Sequence, residues 1–187
     1  MLKKDNPMLK PQDIVLLLKL LAHPNHLDWP QHQLATHLCL NLSAINASLT
    51  RLSQSKLLIL GSKERYKPII PACEELLIHG VKYFFPPQLG EYTAGIVTSY
   101  AAPIIANHIM LGQDPLPVWP TAEGNLKGMA LEPLYPNVPE AVLHYPDQNF
   151  YDLLALIDAL RHGRARERNI AIKLIKEKLN NETNLVN

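Results

Sequence analysis

The sequence predicts a mainly α protein carrying one small β-hairpin and an irregular proline-rich segment, and three observations carry that prediction. Apolar residues recur at helical spacing near both ends of the chain. Residues 56 to 70 place two apolar or β-prone runs around a polar turn. Between Pro86 and Pro146 lie ten of the sixteen prolines and five of the eight glycines, which excludes long helices there. With 187 residues, 47% of them hydrophobic, the chain can bury a core as one large or two small domains.

The elements follow in order. Pro11 to Ala22 reads as a leucine-rich amphipathic helix with Pro11 in its first turn; after the loop His23 to Trp29, Pro30 opens the next helix. Gln33 to Leu52 then reads as two short helices around a sharp turn. Leu34, Ala35 and Leu38 form one apolar stripe, the small Ala35 allows close packing, and Leu40 plugs the turn. Asn41 stands where an N-cap belongs, and Ile45, Leu49 and Leu52 repeat on the second helix. This is the pattern of a helix-turn-helix. Lys56 to Ile70 follows as a hairpin, giving the order helix, helix, helix, hairpin of a winged helix.

With Ile45 in the core, Ser43, Ala47, Thr50 and Gln54 face the opposite way, flanked by Asn46 and Arg51. These are the candidate readers of base edges and phosphates: Ser and Thr bond to several bases, Asn and Gln pair with adenine, and Arg grips guanine or phosphate. Lys63, Arg65 and Lys67 alternate along the hairpin, a spacing of cations that suits a phosphate rail or minor groove. The alternative is that this unit contacts protein rather than DNA.

Residues 9 to 70 resemble bacterial winged helix-turn-helix regulators of the MarR-like kind. Leu34-Ala35 and Leu38, the turn Cys39-Leu40-Asn41, the Ile45/Leu49/Leu52 spacing and Leu57-Leu58 entering the wing carry the resemblance, over about a third of the chain. It implies a DNA-binding domain over residues 1 to 71, with double-stranded DNA as partner.

Pro71 starts a helix expected from about Ala72 to Phe85, with Glu74 and Glu75 in its first turn and Tyr83-Phe84-Phe85-Pro86-Pro87 closing it. Residues 86 to 146 read as irregular but mostly ordered, because Ile96, Val97, Ile104, Ile109, Met110, Val118, Trp119 and Leu131 need a core to cover them. Two helices finish the chain. Phe150, Leu153, Leu154, Ile157 and Leu160 define the first, and Ile172, Ile175 and Leu179 one face of the second. Gly163 sits at the joint, either as a cap or as a weak point in one longer helix. The tail from Asn180 to Asn187 is expected to fray. Residues 72 to 187 thus form a second region for dimerisation or partner binding, and Leu153, Leu154, Ile157, Ile172, Ile175 and Leu179 are its expected dimer interface.

Charge is distributed unevenly. Residues 1 to 71 carry nine Lys/Arg against four Asp/Glu, residues 72 to 160 two against ten, and residues 161 to 187 seven against three. A basic head suits a phosphate backbone, whereas the acidic middle must be held away from one or serves only solubility. For the cluster Arg161 to Arg168 the favoured reading is salt bridging to that acidic segment; the others are a second phosphate contact and simple solvation.

No catalytic signature is present, the eight histidines lack a metal-ligand pattern, and Cys39 and Cys73 suit burial better than a redox role. The expectation is therefore a cytoplasmic, DNA-binding transcriptional regulator acting as a homodimer, not an enzyme, without cofactor, metal or membrane segment. The alternative is an antitoxin-like interaction protein whose acidic proline-rich region binds a protein partner.

Overall fold

The computed structural model describes residues 8 to 62 and 65 to 181. Helix α1 (Pro11–Leu21) starts on a proline, and the Lys10 amide donates to the Asp13 carboxylate at 2.8 Å. Helices α2 (Gln31–His37) and α3 (Leu42–Gln54) end alike. After α2, the Leu40 amide reaches back to the Ala35 carbonyl and the Cys39 amide to that of Thr36; after α3, Leu57 reaches Leu52 and Lys56 reaches Ser53. Both are Schellman closures, and the residue at the bend takes a left-handed backbone, φ 51° at Cys39 and 59° at Lys56. Asn41 caps α3, its side-chain oxygen accepting from the Ala44 amide at 2.7 Å.

Strands β1 (Leu58–Leu60) and β2 (Tyr66–Pro68) form the expected antiparallel hairpin, with Leu58 opposite Pro68 and Leu60 opposite Tyr66. The loop after α1 lies beside it: Asp28 bridges to Arg65, and the Tyr66 amide donates to the Leu27 carbonyl at 3.0 Å. Next, α4 (Ile70–Glu75), a π turn (Leu76–Gly80) and α5 (Val81–Phe84) run as one rod. It starts two residues before the expected Ala72, so Glu74 and Glu75 lie at the end of α4 and not in its first turn.

Residues 86 to 146 depart most from expectation. They contain β3 (Leu89–Val97), a short 3-10 turn (Ser99–Ala101), α6 (Pro103–Ala106), β4 (Pro117–Pro120), β5 (Leu126–Leu131) and α7 (Val138–His144). The fold is accordingly mixed α/β, with two sheets, and not mainly α with a single hairpin. In the second sheet each strand pairs with both others: β3 is antiparallel to β4 and β5, which are parallel to each other. Gly95 and Gly128 allow the convergence. A Cβ at Gly95 would stand 2.2 Å from the Trp119 carbonyl oxygen, and one at Gly128 2.1 Å from that of Leu116. Prolines do not preclude β4, because Pro117 and Pro120 are its first and last residues.

Helices α8 (Gln148–His162) and α9 (Ala165–Asn181) close the chain, and the Gly163 amide caps α8 on the Ala159 carbonyl at 2.8 Å. Gly163 thus separates two helices. Every residue of α1 from Asp13 to Leu21 and of α8 from Leu153 to Arg161 is buried, so these two mutually packed helices form the centre of one continuous core. This corrects one expectation. Leu153, Leu154, Ile157, Ile175 and Leu179 are covered within their own chain, and Ile172 is half-buried, so the stripes expected to drive dimerisation are already occupied. Met110, expected in the core, is almost fully exposed. Among the described residues no helix is long and apolar enough to cross a membrane.

Candidate nucleic-acid interface

Helix α3 buries Ile45, Ser48, Leu49 and Leu52 against α1 and α2, which fixes the orientation of its other side. Ser43, Asn46, Ala47, Thr50 and Gln54 are all exposed on it, and together with Arg51 they line a single shallow depression open to solvent. The structure therefore places the six sequence-predicted residues of this helix side by side. The Thr50 hydroxyl donates to the Asn46 carbonyl at 2.9 Å, which holds its oxygen as an acceptor. The face carries small and amide side chains suited to hydrogen bonding with base edges.

Arg51 behaves differently from its neighbours. Its Nε donates to Asp13 Oδ2 at 2.7 Å and its Nη2 to Asp13 Oδ1 at 2.6 Å, with Ser48 Oγ accepting a longer bond of 3.3 Å. The Asp13 side chain is completely buried and that of Arg51 is 13% exposed. This bidentate bond holds the guanidinium pKa above its ordinary value, against the opposing effect of burial. Arg51 thus fastens α3 to the start of α1, and its charge is engaged inward instead of being presented as a reader. The sequence offered one signal for Asp13, an acidic residue in the first turn of α1, but not its partner 38 positions away.

On the hairpin, Lys67 is exposed, and Arg65 is exposed but paired with Asp28 at 2.7 Å. Both partners of that pair are largely in solvent, where such contacts contribute about 0 to 1 kcal/mol and yield readily to another anion. Lys63 lies outside the described residues. The Arg161 to Arg168 cluster divides: Arg161 is buried against Asp158, Arg164 reaches Asp114 of the acidic segment at 3.8 Å, and Arg166 and Arg168 are exposed.

The turn between α2 and α3 is held from behind by the C-terminal half. Asn137 Nδ2 donates to the Cys39 carbonyl, and the His37 ring stacks on Tyr145 with centroids 5.1 Å apart. Sequence reasoning missed this support, although Asp147 before α8 had the position of an N-cap and serves as one, accepting from the Phe150 amide at 3.1 Å. Cys73 is inert by environment. Its thiol donates to the Leu57 carbonyl, and burial pushes its pKa up to about 12. No protein family, curated protein or solved structure matches this chain.

Proposed function

We propose that the chain is a DNA-binding transcriptional regulator in which α1 to α3 and the β1–β2 hairpin act as a winged helix, with α3 entering the major groove. The observation that supports this most directly is the solvent face of α3, where Ser43, Asn46, Ala47, Thr50 and Gln54 form one exposed, uncharged, hydrogen-bonding strip. In this reading Lys67 and Arg65 of the hairpin, both exposed, supply phosphate contacts. A single such unit reads one half-site, so the reading includes a homodimer on a twofold-related site. Its pairing surface lies outside the apolar stripes of α8 and α9, which are covered within the chain.

A second reading, an antitoxin-like protein that holds a protein partner, is favoured by Tyr83, Phe84, Leu89, Tyr92 and Leu126, large apolar side chains left in solvent. Glu91, Glu123, Glu132 and Glu140, also exposed, suit a basic partner.

An unbiased selection of duplex DNA with the purified protein at two salt concentrations tests the first reading. A defined sequence is expected to enrich at both. Replacing Asn46 and Gln54 with Ala is expected to weaken binding to it by about 1 to 3 kcal/mol for each base the missing amide would have read, with unchanged melting. Selection of no sequence at either salt, with a protein retained stoichiometrically through purification, favours the second reading.

A further inference from the structure

Behind the α2–α3 turn lies a cleft of a different character, between the end of α1 and the start of α8. Lys19, His23, Trp29, His37, His144, Tyr145, Pro146 and Asp147 line it. The Lys19 ammonium is buried over the Phe150 ring at 5.1 Å and donates to Asp147 Oδ2 at 2.6 Å; His23 Nε2 meets the same oxygen at 2.5 Å. Asp147 Oδ1 is taken by the α8 cap. Both carboxylate oxygens are therefore engaged, and the central anion of the cleft has been matched.

His37 is the last residue of α2, and its ring bridges the two halves, lying between Tyr145 and the edge of Trp29, 6.0 Å away. Its Nδ1 is buried with no hydrogen-bond partner among the described residues. A neutral ring tolerates this, since an unprotonated Nδ1 is merely an unused acceptor. A protonated ring does not, because it adds a second cation beside Lys19 and a buried N–H with nothing to receive it. The groups facing it are Lys19 in α1, His23 just after that helix and Asp147 before α8, with His26 tilted against Trp29 at 4.5 Å between centroids. His144, the last residue of α7, lies 3.9 Å from both Glu123 and Glu140. Among the described residues only Asp147 opposes the new charge closely, and it is already saturated.

We propose that this cluster is a proton-operated clasp: when His37 takes up a proton, its ring leaves the Tyr145 stack for water and the α2–α3 turn is released from residues 137 to 147. Release reaches the turn directly, since His37 is two residues from Cys39, whose carbonyl Asn137 holds. Burial and the Lys19 charge keep the ring pKa below the ordinary imidazole value, so the clasp is shut at neutral pH and opens on the acid side of it.

The test uses the full chain and requires no DNA, so it stands or falls separately from the role assigned to α3. Histidine ring shifts are followed by NMR from about pH 7.5 to about pH 5.5, with amide-exchange protection of residues 38 to 41 and 137 to 147 over the same range. Protection of both segments is expected to fall together along the His37 titration, with the opening equilibrium rising by up to about tenfold per pH unit for one proton bound. Protection of β3 to β5 is expected to stay level. His37→Phe keeps an aromatic stack without a titrating group and is expected to abolish the dependence. Protection that stays constant while His37 titrates overturns the proposal, as does a pH dependence that survives in a folded H37F. If H37F does not fold, a mismatch between the wild-type exchange midpoint and the His37 titration overturns it.

Discussion

Asp13, Lys19, Asp158 and Arg161 are each at most 8% exposed, and every one of these charges is matched. Asp13 is held by Arg51, Lys19 by Asp147, and Asp158 by Arg161, Thr98 and Trp119. Replacing such a pair by apolar side chains can cost little, whereas removing one partner strands the other in a medium that solvates it poorly. Arg51→Ala is therefore expected to lower unfolding free energy by about 3 to 5 kcal/mol in denaturant titrations, because it leaves the Asp13 carboxylate buried and unpaired. The exposed Lys67 belongs to the opposite class. Lys67→Ala is expected to leave melting unchanged and to reduce the slope of log DNA affinity against log salt by about one unit. Asp147 adds an acid limit. Burial alone would raise its pKa, but donors from Lys19, His23 and the Phe150 amide outweigh that and hold it below the ordinary carboxylate range. Its contribution is present at neutral pH and lost as pH falls through that depressed value.

Among the elements, those defined by neighbouring residues were legible and those defined by distant ones were not. The α2–α3 unit was readable because its determinants lie within a few positions of one another: Asn41 at the cap, Leu40 behind the turn, and Ile45, Leu49 and Leu52 on one face. The six candidate residues of α3 were located for the same reason. The role of Arg51 was not, since its partner lies on another helix. Strands β3 to β5 were invisible because their pairings join Gly95 to Pro120 and Leu89 to Leu131, and because the prolines that end β4 read locally as breaks. The close approach at Gly95 gives this sheet a sharp test. Gly95→Ala would drive a Cβ into the Trp119 carbonyl, and a loss of about 3 kcal/mol is expected from thermal or denaturant unfolding.

At the scale of the whole molecule, the expected division near residue 71 does not interrupt the packing, for α1 is covered by α3 on one side and by α8 on another. A chain ending after His144 would lack α8, leaving the Leu-rich flank of α1 in water and Lys19 without Asp147 or Phe150. Such a fragment is expected to lose its cooperative melting transition by circular dichroism; a sharp transition near that of the full chain would show that residues 8 to 144 fold unaided. The composition gave no warning of this, because a leucine-rich helix looks the same whether one or both of its sides will be covered. The burial of α1 also has a consequence for synthesis. The helix is synthesised before its second cover, which lies in residues 148 to 162. A nascent chain must therefore carry one flank of this apolar rod uncovered until α8 has been made, which makes α1 the segment a chaperone would grasp and times the maturation of the N-terminal unit to the arrival of α8.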